Sequence, residues 1–533
     1  MKKLLIIAFL LTFAAANVAH ADDASVLKAK LEELQKQMDA LQKQLQDVTS
    51  QMQQQKQEVT EQMAKQKEEE EKATQNFYKH KEGDALTIET FGGGAVTLYG
   101  FFDVSVDYAN KGVKNKMGTN GDLAQGNLGW QPALSTNQSY IGFRGIHPLP
   151  SVRDNFNFVW QLEAQIDITA APGTTTTQSS NSNTVKSGLF FRNSYLGFSD
   201  KEFGALKFGK TDAPYKTSTA RMNPFSGKLG DYAVVMGNSG GDNRSEFTTR
   251  VNHAVWYESP NVKGFTFNGL ISPSQNPNTD NSDIPVGEPD CAGGNIPGSG
   301  ALAPACNDGS YGTLYSTNLA YQYGPFYATV AYEMHSQTNR VSDVGGNPLD
   351  VGDERAAKIG LQYFFATPFF PTQKTTISGI YEQLRRNVDP SLEFQNERSR
   401  NGWWLTLTQV LTPKDNVSFG WARAGGTPGD PGQHNTSGGA GPDNQANMYT
   451  GIWNHSFDKF TTWYIDWALT LNHKDAHYDL GAGGRGITYD CHDGANLAAI
   501  DVSGAAPAIT GSGPHCWAGN RVEGISTGIS YKF

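Results

Sequence analysis

The sequence ends in an alternating run. Counting back from Phe533, apolar or lipid-tolerant side chains recur at every second position through Tyr531, Ile529, Thr527 and Ile525, with Lys532, Ser530, Gly528 and Ser526 between them. Successive side chains of a strand point to opposite faces, so one face of this run suits hydrocarbon and the other suits water. A soluble protein rarely leaves its final residue as an apolar strand end, because an unpaired edge invites association. A transmembrane barrel has no such edge, since its last strand pairs with its first. Phe533 and Tyr531 are therefore read as the end of a closing strand and as the signal recognised by the barrel-assembly machinery. The competing reading is the edge strand of a soluble sheet.

The other terminus agrees with export. Lys2 and Lys3 precede an apolar run over 4–16, and Ala19-His20-Ala21 offers a small-x-small cleavage site, so residues 1–21 read as a signal peptide. The apolar run is short for a membrane span of about 20 residues, and Asp22 and Asp23 follow at once. No Cys adjoins the site, so no lipid anchor is expected there.

Over 533 residues only 38% are hydrophobic, yet the chain carries 28 Phe, 21 Tyr and 10 Trp. Barrel strands alternate, so low average hydropathy and the lack of a long apolar run after the signal do not argue against a membrane protein. The net charge of −10 makes nucleic acid an unfavourable partner. The four cysteines fall in two Gly/Pro-rich stretches, Cys291 with Cys306 and Cys491 with Cys516, which suggests two disulfides that clamp loops of an exported protein. Zinc is the alternative there, with His492 and His515 beside two of the cysteines, but no C-x-x-C spacing is present. No metal and no cofactor is expected.

Residues 22–82 form a distinct region. Between about 24 and 81 there is no Pro, Gly or Trp, and Leu31, Leu34, Met38, Leu41, Leu45, Val48 and Met52 recur in steps of three and four. This is a coiled-coil seam, whose single apolar stripe calls for pairing between chains. A solvated lone helix and a disordered tether are the other readings. Fully helical, the segment reaches roughly 80 Å at about 1.5 Å per residue. A Gly-rich linker over 83–94 ends it.

From 95 to 533 the texture is of short alternating runs separated by brief turns and by long Gly/Asn/Ser/Asp/Pro loops. In the first strand Val96, Leu98, Phe102, Val104 and Val106 share one face, and Thr97, Tyr99, Asp103, Ser105 and Asp107 the other. Trp463, Ile465, Trp467, Leu469 and Leu471 repeat the pattern late in the chain. Aromatics at strand ends fit interfacial girdles, and the asymmetry of loop length fits a barrel with short periplasmic turns. The pattern predicts an all-β transmembrane barrel of sixteen antiparallel strands. Their starts fall near residues 95, 136, 155, 187, 205, 248, 265, 313, 325, 353, 374, 398, 416, 445, 461 and 520. An even number returns both barrel termini, and the helical segment, to the periplasm. Parity puts Arg144, Glu163, Lys207, Asp103 and Arg250 on the lumen face.

Four motifs in order carry a family resemblance. They are Val96-Thr97-Leu98-Tyr99-Gly100; Ser139-Tyr140-Ile141-Gly142-Phe143-Arg144-Gly145; Asn193-Ser194-Tyr195-Leu196-Gly197-Phe198 with Phe203-Gly204-Ala205-Leu206-Lys207-Phe208-Gly209-Lys210; and Trp256-Tyr257-Glu258-Ser259-Pro260-Asn261-Val262-Lys263-Gly264-Phe265. Together they resemble the Gram-negative general porins of beta- and gamma-proteobacteria. The match runs from about 95 to the end, densely to 270. The coiled coil lies outside that pattern.

The resemblance implies a water-filled outer-membrane barrel, usually a homotrimer, that passes small hydrophilic solutes and ions. Its partners would be outer-membrane lipids, lipopolysaccharide and the assembly machinery. Its third extracellular loop, here about 211–247, would fold inward and narrow the lumen. The family's basic wall maps onto Lys210 and Arg250, with Arg144 and Lys207 in support. Tyr140 and Phe101 occupy two positions that are often basic. Asp212 and Asp231, with Asp242, are the loop acids, and the acidic residue that many members carry beside the Pro-Phe turn is missing at Pro224-Phe225. A basic wall without that acid predicts a weak anion preference, with an anion-, phosphate- or sugar-selective channel as the alternative.

Three other readings compete. An outer-membrane enzyme would need a nucleophile in a recognisable setting; His253, His473 and His477 are present without one, so no catalytic residue is expected. A trimeric adhesin joins a coiled coil to a barrel, but its barrel is a short C-terminal part. A cell-wall tether is compatible with transport.

Overall fold

The computed structural model describes residues 86–110, 130–166, 192–236, 250–273, 313–336, 351–367, 374–388, 399–428, 443–473, 478–481 and 521–533. It also describes parts of 32–43, short pieces at 168–169, 247–248, 499–501 and 508–510, and isolated positions such as 476. The signal peptide, the four cysteines, Asp242, His477 and most of 22–82, including Leu31, Leu34, Met38 and Leu41, lie outside the described residues. The positions described between 32 and 43 are helical and exposed. The chain divides into two units, 1–79 and 80–533.

The second unit is a closed antiparallel barrel. After a short strand β1 (Leu86–Thr90), the staves are β2 (Gly94–Asn110), β3 (Gln131–Thr136) continued by β4 (Tyr140–Pro148), β5 (Phe156–Gln165), β6 (Ser194–Asp200), β7 (Gly204–Asp212), β8 (Arg250–Glu258) and β9 (Phe265–Ser272). The ring continues through β10 (Thr313–Tyr323), β11 (Phe326–Ser336), β12 (Val351–Phe365), β13 (Thr375–Val388), β14 (Arg400–Val410), β15 (Asp415–Ala424), β16 (Ala446–Ser456) and β17 (Thr461–Asn472). Two small strands, β18 (Ala499–Asp501) and β19 (Ala508–Thr510), pair apart from the barrel, and β20 (Arg521–Lys532) closes it between β17 and β2. Counting β3 and β4 as one broken stave gives the sixteen expected.

Closure runs through the last residue. Phe533 donates its backbone N–H to Gly100 O at 3.1 Å, and Gly100 N–H donates to Phe533 O at 3.0 Å. The Phe533 ring lies 5.4 Å from Phe102 and 5.7 Å from Tyr531. A Cβ on Gly100 would meet that ring at 2.6 Å, so this crossing requires glycine.

The two faces are sorted as the alternation requires. Ile525, Ile529 and Tyr531 are 46%, 51% and 43% exposed, whereas Ser526 is 4% exposed. On β2 the buried set is Thr97, Tyr99, Asp103, Ser105 and Asp107, with Val106 and Tyr108 exposed. Apolar residues thus face outward and polar ones inward, the inverse of a soluble sheet.

Two strand starts differ from expectation. The second stave begins at Gln131 and breaks at 137–139, where Gln138 takes a φ of 50° that the ladder cannot accommodate. Side chains replace the missing ladder bonds there: Ser139 Oγ accepts from Asp103 N–H at 2.8 Å, and Asn137 Nδ2 donates to Ser105 Oγ at 2.8 Å. The fourth begins at Ser194 instead of 187, and residues 187–191 lie outside the described set.

Candidate pore constriction

Between β7 and β8 the chain turns into the barrel. Pro214 opens helix α1 (Pro214–Ser218), a position where its missing N–H has no helical acceptor to lose. Two 3-10 turns follow, Ala220–Met222 and Tyr232–Val234. Met222, Phe225, Leu229, Tyr232, Val234, Val235 and Met236 are buried with lumen-facing Trp404, Ala422, Met448, Tyr464 and Val522 of β14–β17 and β20. Seven apolar side chains on one short loop cannot all face water, and these strands offer small or flat partners at matching positions. Gly230 shows how close the approach is: a Cβ there would lie 1.7 Å from Thr450 Oγ1.

Polar bonds fix the same segment at several staves. Tyr215 N–H donates to Ser316 Oγ at 2.9 Å, and its hydroxyl donates to Glu382 Oε2 at 2.7 Å. Burial and the adjacent carboxylate hold that phenol well above its ordinary pKa, so it stays a neutral donor. Trp404 Nε1–H donates to Met222 O at 2.9 Å, Tyr327 hydroxyl to Ser218 O at 2.9 Å, and Leu229 N–H to Asp466 Oδ2 at 2.9 Å. Lys228 pairs with Asp103 at 2.8 Å and lies 3.3 Å from the centre of the Tyr464 ring.

Most cations of the inner wall meet a carboxylate. Lys207 pairs with Glu258 at 2.7 Å and lies over Tyr195. Arg250 reaches Asp212 at 3.2 Å and donates to Asn193 Oδ1 at 2.7 Å; Asp212 also takes Lys216 at 2.8 Å. Arg192, absent from the sequence reading, pairs closely with Glu163 and lies 4.5 Å from the Tyr140 ring. Tyr140 also packs edge-on to Tyr99, and the Arg144 guanidinium lies 5.1 Å from Tyr99. On the far wall His335 stands between Glu333 and Glu354, stacked on Phe247, and Arg386 reaches Glu354 at 3.2 Å. None of these far-wall residues was anticipated, because their strands carry few of the resemblance motifs.

Two expected site residues stand at local irregularities. Lys210 is paired with Ser194 and half-buried, while Lys207 is 6% exposed on the inner face. The register with β8 shifts between Gly209 and Thr211, with Gly209 at a φ of 139°, so strand parity does not carry through Lys210. Asp231 is taken up by the inner segment itself. It accepts from Ala233 N–H at 3.0 Å, Gly227 N–H at 2.9 Å and Asn223 Nδ2 at 2.8 Å, and so caps the second 3-10 turn.

Arg221, on the inner segment, meets no carboxylate among the described residues. Its guanidinium donates to the neutral amide oxygens of Gln362 at 3.0 Å and Gln322 at 2.8 Å and lies 4.2 Å from the Tyr327 ring. A second inward piece, Ala476 with 478–481, also escaped the sequence reading. Ala476, Tyr478 and Leu480 are buried, Gly481 N–H donates to Leu229 O at 2.7 Å, and Tyr478 hydroxyl meets Arg400.

The sequence profile of the Gram-negative porins matches residues 83–475. The chain belongs to that family. As a porin it is an outer-membrane channel for passive diffusion. It is 25% identical over 300 residues to an outer membrane porin protein of Bordetella pertussis, covering 54% of this chain and 69% of that one. The anion-selective porin from Comamonas acidovorans shares the fold, with a TM-score of 0.52 and 18% identity over 83% of this porin and all of that chain. OmpF of Salmonella typhi aligns with a TM-score of 0.46 and 13% identity, over 84% and 100% of the two chains.

Proposed function

We propose that the segment 213–236 narrows the lumen of this porin and that the pore passes small hydrophilic solutes with a weak preference for anions. The supporting observation is Arg221. It is exposed on the inner segment and, among the described residues, bonded to amides and set against a ring, whereas Lys207, Lys216, Lys228, Arg192 and Arg250 each face a carboxylate. Paired charges polarise passing solutes but cancel at a distance, while one uncompensated cation raises the local anion concentration within about 8–10 Å at ordinary ionic strength. The Comamonas protein described as anion-selective is in keeping with this sign. This reading adds Arg221 to the basic wall expected at Lys210 and Arg250, with Arg144 in support.

The test is the zero-current potential of single channels in a salt gradient. Arg221→Gln should move it toward cation preference with conductance largely retained. A cation-selective wild type, or an unchanged potential in Arg221→Gln, would overturn the assignment.

The molecule is further proposed to be a homotrimer whose residues 22–82 form a periplasmic coiled coil. The heptad spacing of Leu and Met supports the coil, and the family supports the trimer. Cross-linking of the intact protein by a trifunctional maleimide, through one cysteine introduced at Leu34 of each chain, should give trimers; monomers alone would leave the segment a tether.

A further inference from the structure

We infer that the anion filter of this porin stands at its periplasmic mouth, so that selection depends on the side from which an ion arrives. It rests on the reading of Arg221 given above and adds to it the depth at which that charge works. Gln322 of β10, Tyr327 of β11 and Gln362 of β12 hold the Arg221 side chain. The three lie in one row across the wall, Gln322 paired with Tyr327 and Tyr327 with Gln362. Gln322 and Tyr327 are the last inward positions before the turn 324–325, since Tyr323 and Phe326, which flank it, point outward with exposures of 73% and 37%. Short turns of such a barrel are periplasmic.

The inner segment descends to this row. Tyr215 is bonded to Ser316, and from 316 to 322 is six residues of β10, roughly 20 Å of strand. Met222 follows Arg221 onto Gly360, one inward position above Gln362, where a Cβ would lie 2.9 Å from its Sδ. The cradle at the bottom is neutral and cannot turn over. The Gln322 amide nitrogen donates to Gly324 O at 2.7 Å and Phe326 O at 3.1 Å, and that of Gln362 to Ser378 Oγ at 2.9 Å, so both amide oxygens are aimed at the guanidinium. The charge is held in place without being cancelled.

The other end of the same segment is balanced. Asp212 ends β7 and Arg250 begins β8, at the rim opposite the short turn 201–203, and there Arg250 and Lys216 share Asp212. An anion from outside therefore meets paired charges first and Arg221 last, whereas one from the periplasm meets Arg221 at once. Fixed charge acts over about 10 Å at 0.1 M salt and about 3 Å at 1 M. Dilute salt on the periplasmic side lets the field of Arg221 fill the mouth and enrich anions there; concentrated salt on that side screens it. Selectivity should thus change when a salt gradient is reversed.

The experiment records zero-current potentials of the full-length porin in planar bilayers, with potassium chloride at about 1 M against about 0.1 M, in both directions on the same membrane. A cysteine introduced at Lys459, on the exposed turn 457–460, reports orientation through a fluorescent maleimide on a polymer too large for the pore. Heat-modifiable migration on gels reports a folded barrel for each variant. In the wild type the anion-to-cation permeability ratio should be about twofold higher with the dilute solution on the periplasmic side. R221Q should lose the difference between the two directions. Q362E, which keeps Arg221 but sets a carboxylate against it, should lose it as well. Equal ratios in both directions, lowered equally by R221Q, would overturn the placement at the mouth and leave the anion reading standing. A higher ratio with the dilute solution outside, or a difference that survives in Q362E, would also overturn the placement. No change from R221Q in either direction would remove the anion reading itself, and this inference with it.

Discussion

Lys228, on the segment that enters the barrel, closes a 2.8 Å ion pair with Asp103 of β2, whose side chain is 2% exposed. Together with the Tyr215–Glu382 bond it ties the segment to both β2 and β13. Removing one partner of a buried pair typically costs about 3–5 kcal/mol, because the other charge is left buried and alone. In a closed barrel that strain can be relieved by releasing the segment instead of unfolding the wall. Lys228→Gln combined with Tyr215→Phe should therefore raise single-channel conductance and add open-channel noise while the barrel stays heat-modifiable on gels. Traces identical to wild type would show that the remaining anchors, Trp404 and Asp466, suffice.

Arg250 stands opposite Asp212 just beyond the bulge at Gly209. Arg250→Gln leaves Asp212 with Lys216 and Asn193 and removes one positive charge near the entry of the inner segment. The zero-current potential should shift toward cation preference. An unchanged potential would take Arg250 out of the basic wall.

Deleting Phe533 removes a reciprocal pair of backbone hydrogen bonds to Gly100 and the ring contacts with Phe102 and Tyr531. At about 1 kcal/mol net per bond the folded barrel survives. The effect expected is kinetic: less heat-modifiable protein in the outer membrane and more periplasmic degradation, read by pulse–chase. Unchanged assembly would mean that Phe533 is no part of the assembly signal.

Cys291 with Cys306, and Cys491 with Cys516, are expected as disulfides, each closing a loop of modest length. Each would restrict the unfolded chain by roughly 3 kcal/mol in the entropy account. Peptide mapping without reductant should recover both pairs. Free thiols, or pairing between the two groups, would reject this assignment.

The Arg221 position shows where reading the sequence stops. Period-two alternation was enough to give the barrel, the number of staves, closure by Phe533 and the inward set on β2, because a strand's side-chain period is geometric and each half of the pattern matches one solvent. Even the staves over 374–425, which lack resemblance motifs, begin within two residues of expectation. A kink such as that at Gln138 has no periodic signature, and the second stave was misjudged there. Charge neutralisation was equally illegible. Lys207 with Glu258, Lys228 with Asp103, and Arg250 with Asp212 are brought together by register between strands and by the path of the inner segment, not by spacing along the chain. Only the tertiary structure could decide that Asp231 is used up in capping a turn, that the register shifts beside Lys210, and that Arg221 is left facing neutral amides. Local sequence sets which face of a strand a residue occupies; its net electrostatic effect depends on what lies within a few ångströms, and in a closed barrel those neighbours come from distant parts of the chain.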